Sequence, residues 1–222
     1  MTRAELARLL DHSVLKPEAT ASEIRAGAEV VRSLQIGFYC VQPCWVKTAA
    51  DALGSADARV VSVVGFPHGC DLPAVKIRAA VLAVADGAGE IDMVMNFGVL
   101  KSGNATLVAA EMASIVRAVQ GVPVKVILEM AALSEDEKQL ACRLACEAGA
   151  AFVKTSTGFH PSGGATVADV RLMRAVVGPA MGVKASGGIR NRIDARAMLD
   201  AGANRIGTSA SAAILEQWES VA

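Results

Sequence analysis

A single-domain (βα)8 barrel of the α/β class is the fold this sequence predicts, and three observations predict it. Eight short β-branched runs, each bounded by Gly or polar residues, alternate with longer segments of helical spacing. Their starts lie 28, 22, 31, 32, 30, 30 and 23 residues apart, which leaves room each time for a strand, a crossover helix and two short loops. No interval suggests a hairpin. Eight parallel strands also fit an open doubly wound sheet, and periodicity alone does not separate the two; the count of eight favours closure. The expectation is one domain over residues 1–222, with a short helix ahead of the first strand.

The strands are read at 9–14, 37–41, 59–66, 90–96, 122–128, 152–157, 182–186 and 205–209. The helices between them carry their own start and stop signals. Thr20 to Glu23 and Ser134 to Glu137 are capping boxes after the first and fifth strands, and Thr166 to Asp169 is the Asp variant after the sixth. Gly87, Gly149 and Gly202 fall at helix C-termini just before strands four, six and eight, as left-handed caps. The recurrence is a weak internal repeat of βα units, without a linker or a low-complexity tract.

Composition narrows the function. Of 222 residues, 22 are Lys or Arg and 22 are Asp or Glu, so the formal net charge is zero. That balance speaks against a nucleic-acid binder working by phosphate neutralisation. Hydrophobic residues make up 53% and charged ones 20%, a mix that supports a large core. Arg3, Glu5 and Arg8 interrupt the apolar stretch a signal peptide needs, and charges punctuate every hydrophobic run, so neither export nor a membrane span is expected. The five cysteines, Cys40, Cys44, Cys70, Cys142 and Cys146, are then read as reduced thiols in a cytoplasmic protein. Two C-x-x-x-C spacings could in principle hold zinc, but Cys142 and Cys146 stand at i and i+4 on an amphipathic helix, where packing is the better reading.

The chemistry is signalled by charges inside strands. Lys154 sits in Phe152-Val-Lys-Thr and Lys184 in Gly182-Val-Lys-Ala, both among residues suited to burial. A buried ammonium needs a partner, a lowered pKa or a chemical task. Asp92 in the fourth strand supplies a carboxylate, and two-residue alternation puts Glu90, Asp92, Val94 and Asn96 on one face. If that face is the barrel interior, a buried ion cluster forms. Two lysines and an aspartate together suggest imine chemistry: one lysine, kept partly neutral by desolvation and by the neighbouring cation, attacks a carbonyl, and Asp92 moves the protons. A purely structural ion pair is the alternative. No metal is required, and His12, His68 and His160 lack ligand spacing; His68 and His160 are read as loop residues.

Ser186-Gly187-Gly188 after the seventh strand and Gly207-Thr208-Ser209 at the end of the eighth suggest a phosphate cradle, since these two loops commonly bind phosphate in such barrels. No nucleotide-binding glycine motif occurs, so no nucleotide cofactor is indicated.

These segments, with Leu10-Asp-His-Ser-Val-Leu-Lys-Pro17 and Val63-Val-Gly-Phe-Pro67, closely resemble the 2-deoxyribose-5-phosphate aldolase family in the family's order from residue 10 to 209. The resemblance implies a cofactor-independent class I aldolase on a (βα)8 barrel, interconverting 2-deoxy-D-ribose 5-phosphate with D-glyceraldehyde 3-phosphate and acetaldehyde. It implies that Lys154 forms the Schiff base, that Asp92 and Lys184 take part in proton transfer, and that Gly158, Gly187, Gly188, Gly207 and Ser209 hold the phosphate. Asp11 would face the sugar hydroxyls or support the site, and Cys40 would lie nearby without a chemical role. A homo-oligomer, dimer or tetramer, is implied in the same way. Another lysine-dependent aldolase or a transaldolase-like enzyme is the alternative on these residues. Three positions depart from the family pattern: Phe159 stands where some members carry lysine, His68 where leucine is common, and the C-terminus lacks the terminal tyrosine of some members.

Overall fold

The structure, a computed structural model, describes residues 1–219. Its strands are β1 (Leu10–Val14), β2 (Phe38–Val41), β3 (Arg59–Val64), β4 (Glu90–Val94), β5 (Val124–Ile127), β6 (Phe152–Lys154), β7 (Gly182–Ser186) and β8 (Arg205–Thr208). Each pairs in parallel with the next, and β8 pairs back onto β1, so the sheet is a closed barrel and the open-sheet alternative falls. Helix α1 (Arg3–Leu9) precedes β1, as expected, and the crossovers are made by α2 (Ala21–Ser33), α3 (Val46–Leu53), α4 (Pro73–Ala85), α5 (Phe97–Lys101) with α6 (Ala105–Ala118), α7 (Glu135–Glu147), α8 (Val167–Val177) and α9 (Arg192–Asp200). Helix α10 (Ser211–Glu219) follows β8.

The helix signals act as the sequence predicts. Thr20 and Ser134 make reciprocal capping boxes with Glu23 and Glu137, and the Thr166 side chain accepts from the Asp169 N–H. Gly87, Gly149 and Gly202 have φ of 109°, 75° and 112°, conformations that L side chains rarely adopt.

Several strands are shorter than expected. β3 ends at Val64 and not at 66, β4 at Val94 and not at 96, β6 at Lys154 and not at 157, and β5 begins at Val124 and not at 122. Past β6 backbone pairing continues only through Thr155, whose N–H donates to the Lys184 carbonyl at 3.0 Å, and side chains make the next links: the Thr155 and Ser156 hydroxyls donate to the Ser186 carbonyl at 3.0 and 2.8 Å. Asn96 likewise leaves the Asp92 face and caps α5, accepting from the Val99 N–H at 3.1 Å.

Apolar residues pack in two places. The larger core lies between sheet and helices; the smaller, Leu15, Cys40, Val61 and Val63 with Phe38 and Phe66, fills the barrel interior on the β2–β3 side. The remaining interior is charged. Strand register sets Asp92 beside Lys125, Lys154 beside Lys184 and Lys184 beside Arg205. The loops after β6 and β7 meet with almost no side-chain volume between them, since a Cβ at Gly164 would run into the Gly187 carbonyl. Backbone cannot rotate away from such a contact. Gly164→Ala should therefore lower stability by about 1–3 kcal/mol, measured by denaturant unfolding; an unchanged midpoint would mean that the two loops separate freely.

Candidate active site

The site is organised around one carboxylate. Asp92 Oδ1 accepts from Lys125 Nζ at 2.7 Å, and Oδ2 accepts from Lys154 Nζ at 2.8 Å and Lys184 Nζ at 2.7 Å. Lys184 also donates to Asp11 Oδ2. Just beneath, Glu90 Oε2 pairs with Lys125 Nζ at 2.6 Å and accepts from Arg205 Nη1 at 3.1 Å. The Arg205 guanidinium lies 3.2 Å from the centroid of the Phe38 ring, closing the N-terminal end of the barrel with an aromatic stack. All these charges are buried. The ion cluster expected from Lys154, Lys184 and Asp92 is therefore present, and Asp11 joins it.

Burial by itself would raise the Asp92 pKa, but the ammonium groups of Lys125, Lys154 and Lys184 outweigh it and hold the carboxyl well below the usual range. Burial would lower the Lys184 pKa, yet the Asp11 and Asp92 carboxylates reverse it and push the ammonium well above an ordinary lysine. Both groups therefore stay charged through neutral pH. The Cys40 thiol, at the end of β2, is pushed up to about 12, first by burial and then by the Asp11 and Asp92 carboxylates, so it stays protonated.

A cavity of about 600 Å³ opens above the cluster. Lys154 lines it together with Gly158, Gly187, Gly188, Gly207 and Ser209, so the expected phosphate loops and the expected nucleophile share one space. Asp92, Lys184 and Asp11 do not line it. Lys154 is thus the member of the cluster that reaches the cavity. Lys16 and Arg190 add positive charge to the cavity lining, and Phe159, 46% exposed, stands edge-on to Phe66 with ring centroids 5.2 Å apart.

His68 and His160 lie in loops, as expected. His12 lies on β1, where its ring stacks on Tyr39 and its Nδ1 is 3.1 Å from Ser211 Oγ; burial lowers its pKa, the Asp11 charge opposing. Lys125 is the residue that reading the sequence missed, although Val124-Lys-Val126 carries the same signal as the other strand lysines. Glu129 and Thr157, described below, are also new. The position of the missing terminal tyrosine lies outside the described residues.

A closed (βα)8 barrel with an amine-bearing cavity at the C-terminal ends of its strands is the architecture of a lysine-dependent aldolase. The chain belongs to the DeoC/LacD aldolase family, whose sequence model matches residues 6–217. It is similar to the deoxyribose-phosphate aldolase of Methanothermobacter thermautotrophicus, 52% identical over 219 residues that cover 98% of this chain and 96% of the relative. The deoxyribose-phosphate aldolase of Caldanaerobacter subterraneus subsp. tengcongensis is 51% identical over 217 residues, 96% of this chain and 94% of its own. Among solved structures, a tetrameric deoxyribose phosphate aldolase from Aeropyrum pernix superposes with a TM-score of 0.92 at 32% identity, covering 100% of this chain and 94% of the other.

The Asp92 environment sets a pH dependence of stability. Its folded pKa lies below the unfolded value near 3.8, so its contribution is present above that value and is lost as pH falls through the folded one. Asp92→Asn should cost about 3–5 kcal/mol at neutral pH, because three buried lysines lose a partner. In urea unfolding the gap to wild type should narrow at strongly acid pH, and a gap constant with pH would contradict the assignment.

Proposed function

We propose that this protein is a class I aldolase that reversibly cleaves 2-deoxy-D-ribose 5-phosphate to D-glyceraldehyde 3-phosphate and acetaldehyde through a Schiff base on Lys154. The observation that carries the proposal is that Lys154, of all the charged groups around Asp92, is the one that lines the cavity shared with the phosphate loops.

The steps follow from the contacts. The neutral Lys154 amine adds to C1 of the open-chain aldehyde, and the carbinolamine loses water to give the iminium. The C3 hydroxyl then gives up its proton as the C2–C3 bond breaks; C3 becomes the aldehyde of glyceraldehyde 3-phosphate, and the electron pair remains as an enamine on C1–C2. Protonation at C2 and hydrolysis release acetaldehyde and free Lys154. Asp92, within 2.8 Å of Lys154 Nζ, moves the protons of dehydration and enamine protonation, directly or through water. Lys184 remains an ammonium on the same carboxylate oxygen, so Asp92 is held between the two amines. Asp11 fixes Lys184 in place.

Gly158, Gly187, Gly188, Gly207 and Ser209 would hold the phosphate: glycines let backbone N–H groups approach it, Ser209 adds a hydroxyl donor, and the loops lead into the N-termini of α9 and α10. The chemistry calls on no metal or organic cofactor, the imine being made on the chain itself. A homo-oligomer is part of the reading, supported by the tetrameric relative. So is a cytoplasmic location, supported by five free thiols. Among the described residues no helix is long and apolar enough to cross a membrane.

Borohydride reduction in the presence of 2-deoxyribose 5-phosphate, followed by peptide mapping, should place a two-carbon adduct on Lys154. An adduct on Lys184 would exchange the roles of the two lysines, and Lys154→Ala should abolish both turnover and capture. Lys184→Leu should slow turnover at neutral pH by about 10²–10⁴-fold. A full rate at neutral pH would sink the role given to its charge.

A further inference from the structure

Glu129 is a buried carboxylate that the imine chemistry does not use. It stands just past β5, 1% exposed, with its backbone in the left-handed region at φ 55° and ψ 58°. A non-glycine residue holds that conformation only when its surroundings impose it. Turned this way, the side chain reaches the loop after β6. Its two oxygens accept from the Thr157 N–H at 3.2 and 3.3 Å, and Oε2 also accepts from the Thr157 hydroxyl at 2.6 Å. Thr157 Oγ1 in turn accepts from the Phe159 N–H at 3.1 Å.

These bonds form a directed relay. A carboxylate only accepts, so the single hydroxyl proton of Thr157 is committed to Glu129, and the Thr157 oxygen is left to receive the Phe159 N–H. The N–H groups of residues 157 and 159 are thereby both turned into the protein. The N–H of Gly158 between them, at φ 82°, makes no backbone bond among the described residues. Gly158 and Thr157 both line the cavity. Lys154 is held by other bonds: its carbonyl accepts from the Leu128 N–H at 2.9 Å, and the Thr155 N–H donates to the Lys184 carbonyl at 3.0 Å. The relay can therefore loosen without moving the nucleophile.

We infer that Glu129, acting through the Thr157 hydroxyl, is a positioning residue that sets the loop after β6 for the substrate's phosphate. The inference rests on the phosphate-cradle reading above. It distinguishes the groups that make the imine from the group that shapes the phosphate end of the same cavity. Glu129→Gln keeps the shape but adds an amide N–H₂ that competes for the Thr157 oxygen, and Thr157→Val removes the relay's middle link.

The test is the steady-state kinetics of wild type, Glu129→Gln, Thr157→Val and Thr157→Ser, each with 2-deoxyribose 5-phosphate and with unphosphorylated 2-deoxyribose. Glu129→Gln and Thr157→Val should each raise KM for the phosphorylated sugar about ten-fold, with kcat and the unphosphorylated reaction changed by no more than about two-fold. Thr157→Ser, which keeps the hydroxyl, should behave as wild type, and the double variant should be no worse than either single one. Equal losses on both sugars, or no loss on the phosphorylated one, overturn the inference. If Glu129→Gln does not fold, the contrast between Thr157→Val and Thr157→Ser decides. A wild type with no preference for the phosphorylated sugar removes the cradle reading and the inference together, whereas a wild-type preference that survives in both variants removes the inference alone.

Discussion

The Asp92 carboxylate, shared by three lysines inside a closed barrel, is the interaction on which the rest of the site depends. A barrel of eight strands has just enough interior to be filled by side chains, and here one side of that interior is apolar while the other is ionic. Four cations, Lys125, Lys154, Lys184 and Arg205, face three carboxylates, Asp11, Glu90 and Asp92, within that space. Isolated charges could not be buried this way; each is tolerated because a partner lies within hydrogen-bonding distance. Each carboxylate is thereby shared between cations or held by one, and Asp92 carries three of them.

Depth in the barrel separates stability from chemistry. At the N-terminal end Glu90, Arg205 and the Phe38 and Phe152 rings make a closed plug, with Lys125 linking Glu90 upward to Asp92. At the C-terminal end the interior opens into the cavity, and Lys154 reaches it from the layer that Asp92 holds in place. The glycines of the loops after β6 and β7 let these two strands end close together, so that Lys154, Gly158, Gly187 and Gly188 share one cavity.

A buried lysine is not by itself a sign of catalysis in this fold. Lys76 on α4 is as deeply buried as Lys184, yet its ammonium donates to the carbonyls of Gly69 and Val94 at 2.6 and 2.9 Å and pairs with Glu111 at 2.9 Å. Its three protons are all used and it does not line the cavity, so it ties the loop after β3 to the end of β4. What distinguishes Lys154 is its place in the cavity lining together with a carboxylate oxygen shared with Lys184. Cys40 makes the same point for thiols, since a position near the reacting groups brings no nucleophile when burial and two carboxylates keep the proton on sulfur.

The sequence by itself determined the order and number of the elements, because strand and helix periods, capping boxes at Thr20 and Ser134 and left-handed glycines are local properties of the chain. It also marked Lys154, Lys184 and Asp92, since a charge within a β-branched run contradicts its surroundings and that contradiction needs no coordinates to be seen. Lys125 carried the same mark and passed unnoticed, its place between Glu90 and Asp92 being a matter of register between β4 and β5. Only the tertiary structure decided closure over an open sheet, which of the two strand lysines reaches the cavity, the pairing of Asp11 with Lys184, and the reach of Glu129 to Thr157. Each of these depends on how strands distant in sequence are staggered around the barrel, and stagger is fixed by packing and closure, not by any local pattern of residues.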